Sequence, residues 1–139
     1  MKKREPVSSI MTSSVITVNA GDHDLRDVKE IFRKEKIRHI PVMNGDELIG
    51  IISKNDINRL SFGAMFDNQD NADEAVLDML SIEQVMTSNP RSVEPTTFVK
   101  DVAEIFATEE YHSLPVVEGK NIKGIVTSTD VMRYLLEQY

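Results

Sequence analysis

The sequence predicts an α+β fold of two similar halves, each an extended piece, a helix, a hairpin and a closing helix. Three observations lead there. The chain repeats itself: Ile10-Met11-Thr12 returns as Val85-Met86-Thr87 at a spacing of 75, and Ile40-Pro41-Val42 returns as Leu114-Pro115-Val116 at a spacing of 74. Within each copy, apolar residues at helical spacing give way to two short β-branched runs around a glycine turn. A half of this size would bury little core alone, so the apolar hairpin faces are expected to pack sheet against sheet about a pseudo-twofold axis.

Each element has a local reason. After Met-Thr comes an extended piece, Val15 to Val18 in the first copy and Arg91 to Val93 in the second. A helix is predicted from about Asp24 to Lys36, with Leu25, Val28, Ile31 and Phe32 on one face. Its counterpart runs from about Thr97 to Glu110, with Val99, Val102, Ile105 and Phe106 in the same places. Ile40 to Met43 then pairs with Leu48 to Ile52 around Asn44-Gly45-Asp46, and Leu114 to Val117 pairs with Ile122 to Val126 around Gly119. The closing helices start at Ser53 and Thr127, the first ending before Gly63. This divides the chain into a first repeat over residues 1–60, a partly helical linker over 61–80 and a second repeat over 81–139. In the linker, Asp67 to Glu74 is acidic and reads as a solvated loop or a frayed helix start. Glu74 to Leu80 reads as helical, a connector without chemistry of its own.

Composition narrows the function classes. The 139 residues, 40% hydrophobic and 28% charged, are those of one soluble globular domain. No apolar run approaches the roughly 20 residues that span a bilayer, and a polar Val-Ser-Ser follows the basic start where a signal peptide would be apolar. Cysteine is absent, which excludes disulfides, thiolate metal sites and a cysteine nucleophile; a cytoplasmic location is expected. A net charge of −7 argues against a nucleic-acid or anionic-membrane surface. No Gly-rich phosphate loop, Gly-x-Ser-x-Gly or His-Glu-x-x-His is present, so no enzyme is expected. His23, His39 and His112 show no metal-ligand spacing.

The informative stretch is Gly50-Ile-Ile-Ser-Lys-Asn-Asp56, repeated as Gly124-Ile-Val-Thr-Ser-Thr-Asp130. Each reads as a buried strand turning directly into a helix. Ser53 or Thr127 stands at the N-cap, and Asp56 or Asp130 follows three residues on, as in a capping box. A helix start favours anions, and a hydroxyl with a carboxylate on one turn could hold a ribose diol and an adjoining phosphate. The same pattern also caps helices that bind nothing, and either Asp could instead pair with Arg59 or Arg133 three residues later.

Four features recur in order in both copies: Met-Thr, then Thr/Ser-Val six residues later, then hydrophobic-Pro-Val before a glycine turn, then Gly-Ile-hydrophobic-Ser/Thr-x-x-Asp. Together they resemble the tandem CBS-domain pair, or Bateman module, over about Val7 to Leu136, here as a stand-alone pair. The resemblance implies a βαββα repeat and a pseudo-symmetric pair that binds adenine nucleotides (AMP, ADP or ATP, with S-adenosylmethionine among the alternatives) in clefts between the repeats. It places Asp56 and Asp130 on the ribose hydroxyls and Ser53 and Thr127 on ribose or phosphate. Thr17, Val18, Ser92 and Val93 would meet the adenine through their backbone. Arg38 and His39, and His112 and Ser113, would reach the phosphates, while Ile40, Pro41, Leu114 and Pro115 would sandwich the base. Arg38 suits phosphate because its planar fork binds two oxygens, but would be equally ordinary as a lone surface residue. Met11 and Met86 read as core or dimer-contact residues. The basic character before the prolines is uneven, so unequal affinities are expected, with Arg91 available to compensate in the second copy. Function is thus expected to be regulatory, through a homodimer or an effector protein, the rival being an assembly module with no nucleotide.

Overall fold

Residues 4–60 and 75–139 are described in a computed structural model of the chain. The chain forms two compact units, one from residues 16–89 and one from residues 1–15 with 90–139. The predicted Asp67–Glu74 loop lies outside the described residues, whereas the first closing helix ends at Asn58, before Gly63.

In the unit of residues 16–89, strand β1 (Val18–Asn19) runs parallel to β2 (His39–Asn44), which pairs antiparallel with β3 (Glu47–Ser53). The turn between β2 and β3 needs Gly45, whose φ of 61° is in the left-handed region. Helix α1 (Leu25–Lys34) starts at Asp24, which forms a capping box with Asp27, and stops where Glu35 turns extended, two residues short of the expected Lys36. Helix α2 (Lys54–Asn58) follows β3 directly. A third helical stretch, α3, includes residues 75–79, within the predicted 74–80. Leu25, Val28 and Phe32 of α1 meet Val18, Ile40, Val42 and Ile52 of the sheet, so the helical and the alternating patterns converge on one core. Burying a residue such as Ile40 contributes about 1.5–3 kcal/mol.

The other unit repeats this plan. Strands β5 (Ser113–Glu118) and β6 (Asn121–Thr127) form the hairpin around Gly119, at φ 65°. Helix α5 (Val99–Thr108) begins two residues later than predicted, with Phe98 at an N-cap that makes no side-chain bond. Helix α6 (Ser128–Glu137) closes the unit. Val93 pairs in parallel with Val116, as Val18 does with Val42. Both hairpins carry the same register shift, between Val42 and Met43 and between Val116 and Val117.

The compact units do not follow the sequence repeats. Helix α4 (Ile82–Val85), capped by Ser81 and Gln84, and strand β4 (Thr87–Ser88) open the second sequence repeat. They complete the first repeat's unit: β4 pairs with β3, and Ile82 is buried in that core. The short 3₁₀ turn Val7–Ser9 and Thr12, which open the first repeat, complete the other unit: Thr12 exchanges hydrogen bonds with Ile125, and Val7 is fully buried beside Leu114 and Val126. Gly50 and Gly124 leave room for this exchange. A Cβ at Gly50 would collide with the Met86 sulfur, and one at Gly124 with the Met11 sulfur and, at 2.8 Å, the Thr12 carbonyl oxygen. Met11 and Met86 therefore pack against the two cores. Among the described residues, no helix is long and apolar enough to cross a membrane.

Candidate functional site

Each strand-to-helix corner is built by one reciprocal pair of hydrogen bonds. At the first, the Asp56 N–H donates to Ser53 Oγ at 3.0 Å and the Ser53 N–H donates to Asp56 Oδ2 at 2.8 Å. At the second, the Asp130 N–H donates to Thr127 Oγ1 at 3.1 Å and the Thr127 N–H donates to Asp130 Oδ2 at 2.9 Å. Both arrangements are complete capping boxes. The other carboxylate oxygen faces an arginine: Arg59 Nη1 lies 3.4 Å from Asp56 Oδ1, and Arg133 Nη1 lies 3.6 Å from Asp130 Oδ1. Capping and ion pairing therefore coexist at both corners, each using a different oxygen. Ligand contact at Oδ1 leaves the cap untouched.

The residues before each proline are drawn to the same corner. The Lys54 N–H donates to the Arg38 carbonyl at 2.8 Å, and the Ser128 N–H donates to the His112 carbonyl at 3.0 Å. Sheet register adds His39 opposite Ser53 and Ser113 opposite Thr127. Arg38 and His112 are exposed, whereas Ser113 is buried. Ile40 and Leu114 are fully buried members of the two cores, which sets them on the helix-packed face of their hairpins, so core packing occupies both. Pro41 and Pro115, next in each strand, point to the opposite face and are also buried. The N–H and carbonyl of Val93 are engaged by Pro115 and Val117, and Val18 is paired with Val42. Thr17 is half-buried and Ser92 exposed beside them. Arg91 reaches Glu109 at 3.7 Å, an ion pair that competes with any role at the second corner.

The sequence reading did not single out Lys54 and Ser128, which flank the corner through those backbone bonds. A signal for them was present, because the hairpin register that sets His39 opposite Ser53 brings the next residues together. Among the described residues, no group of three or more His, Asp or Glu is placed to hold a metal ion.

Comparison with known proteins identifies the family and the fold. A family model described as CBS domain matches residues 7–63 and 82–137. Protein MJ1225 of Methanocaldococcus jannaschii is 29% identical over 134 residues. Its crystal structure, proposed there as an archaeal homologue of g-AMPK, superposes at a TM-score of 0.77 with 27% identity, covering 97% of this chain and 49% of that one. The CBS domain pair of protein MJ0100, in complex with 5′-methylthioadenosine and S-adenosyl-L-methionine, gives a TM-score of 0.77 at 26% identity, covering 96% of this chain and 98% of that one. CBSX2 in complex with AMP, at 23% identity and a TM-score of 0.77 over 96% of this chain and 98% of that one, bears on the fold alone. The chain spans less than half the length of the first curated relatives, 48% of MJ1225 and 44% of MJ0188.

Proposed function

Because the chain belongs to the CBS-domain family and carries its repeat twice, we propose that it is a non-catalytic regulatory module that binds an adenosine-containing ligand at its two corners. The half-committed carboxylate carries this reading. Asp56 and Asp130 are each fixed through Oδ2 by a backbone N–H, which leaves Oδ1 outside the cap, facing an exposed arginine. A ribose diol offers two O–H donors to one anionic oxygen, a charge-assisted arrangement stronger than neutral hydrogen bonding. Ser53 and Thr127 accept from the Asp N–H but retain their own hydroxyl protons for a ligand oxygen. Arg38, with His39 in the neighbouring register position, supplies positive charge at the first corner, and the His112 ring offers a hydrogen-bonding nitrogen at the second. Thr17 and Ser92 lie beside the paired Val18 and Val93, where a base edge would meet backbone.

The ligands proposed are AMP, ADP or ATP, with S-adenosylmethionine as the alternative that the MJ0100 complex supports. Ligand binding would shift the populations of two forms of the protein, read out by a homodimer or an effector protein, in the cytoplasm where these nucleotides are available. Thermal melting with AMP, ATP and S-adenosylmethionine tests the reading. A ligand at 100 times its Kd stabilises the fold by about 2.7 kcal/mol. No shift with any of them contradicts it.

One observation favours a second reading, an assembly module without a nucleotide. Helix α6 turns Met132 and Leu136 outward, 57% and 74% exposed, one turn apart and followed by Tyr139, and such apolar stripes mark protein contacts. A dimer whose stability ignores every adenosine ligand would support it.

A further inference from the structure

We propose that Arg59 and Arg133 set the charge class of the ligand, making each corner prefer adenosine ligands with an anionic 5′ substituent over neutral ones. The inference rests on the ribose reading above. The oxygen a diol must take, Oδ1, is the one the guanidinium faces, at 3.4 Å on Asp56 and 3.6 Å on Asp130, because Oδ2 is spent on the cap. An arginine three residues after an aspartate lies one helical turn along the same face, so the α-helix itself enforces the placement, and it recurs in both units.

Exposure divides the pair into a fixed and an exchangeable member. The aspartate side chains are only 18% and 16% exposed, whereas the arginines are 76% and 65% exposed and have no other ion pair among the described residues. Binding is therefore an exchange in which the diol donates to Oδ1 and the guanidinium leaves. With a neutral 5′ substituent the cation gains only water. With a phosphate, a few ångströms along the same ligand, it gains two oxygens that match its fork. Each corner thus places its anion sensor against the sugar-binding group, and only an anionic ligand gives the sensor a new partner.

Adenosine and AMP titrated separately into the parent, Arg59→Ala, Arg133→Ala and the double variant test this. The parent is expected to prefer AMP. Each alanine variant should bind adenosine no worse than the parent and AMP more weakly. The AMP-to-adenosine affinity ratio should fall about fivefold per corner, the factor that roughly 1 kcal/mol of exposed ion pairing represents. Arg59→Lys and Arg133→Lys keep the cation and should keep most of the preference. A purely structural arginine would move both affinities together, so a ratio unchanged in the double variant, or a parent without preference, overturns the proposal. Asp56→Ala and Asp130→Ala variants that bind both ligands like the parent would instead overturn the ribose reading, so the two failures are distinguishable.

Discussion

The two corners share a backbone and differ in charge. A carbonyl–amide bond closes each, from Lys54 to Arg38 in one and from Ser128 to His112 in the other, and a capping box holds each aspartate. The flanking side chains are two strong cations in the first corner and a histidine and a serine in the second. Geometry depends on the cap, which keeps a hydroxyl and a carboxylate three residues apart in both copies, whereas charge depends on positions that only lend their backbone. The scaffold can therefore be duplicated while its ligand preference diverges. A second contrast lies deeper: each unit is finished by a segment from the opposite sequence repeat.

The largest expected effects test that exchange. Ile82→Ala should cost about 3 kcal/mol and Val7→Ala about 2 kcal/mol in urea unfolding, since both are buried in the cores they complete. Hydrogen exchange should show Val7→Ala loosening β5 and β6, and Ile82→Ala loosening β2 and β3. The reverse pattern would break the description of composite units. Next come the glycines. Gly124→Ala should cost about 2–3 kcal/mol and Gly50→Ala about 1 kcal/mol, because a methyl at Gly124 meets the rigid Thr12 carbonyl as well as a side chain, whereas at Gly50 it meets only the flexible Met86. Adding Met86→Ala should recover part of the Gly50 loss and none of the Gly124 loss.

Smaller effects separate the corners. Arg38→Ala should weaken phosphorylated ligands at the first corner by about 1 kcal/mol, and His112→Ala should weaken them less at the second, a difference read by titration calorimetry. The smallest effect concerns an ion pair in the unit of residues 16–89. Arg26 bonds Asp78 through two nitrogens at 2.7 Å each, joining α1 to α3, and this hydrogen bond holds the Asp78 carboxyl below its ordinary pKa. A depressed folded-state pKa adds stability above the unfolded pKa and loses it as pH falls through the folded one. Asp78→Asn should thus lower the melting temperature slightly at neutral pH and converge with the parent in acid.

The sequence made the elements legible because their causes are local. Gly45 and Gly119 mark the turns, Leu25-Val28-Phe32 marks the buried face of α1, and Ser53-x-x-Asp56 marks the corner. Helix ends missed by two residues, as at Lys34 and Val99, because fraying leaves little local trace. The exchange of segments was not legible, since pairing between Thr12 and Ile125 leaves no periodicity. Its one trace was a glycine inside a strand at Gly50 and Gly124, a sign of close approach by other atoms. At the corners, the motif placed Asp56 and Asp130 but could not assign their two oxygens, because spacing alone does not show that a cap and an ion pair use different oxygens of one carboxylate. Burial likewise removed Ile40 and Leu114 to the cores, which alternation alone could not decide when both hairpin faces are apolar.

The most direct measurement is calorimetric titration of the parent and the Asp56→Ala/Asp130→Ala double variant with AMP and with its 2′,3′-dideoxy analogue. The account predicts that the parent binds AMP, binds the diol-less analogue at least tenfold more weakly, about the effect of one lost charge-assisted hydrogen bond, and that the double variant no longer tells the two apart. Equal binding of both ligands by the parent, or a double variant that still prefers AMP, would contradict it.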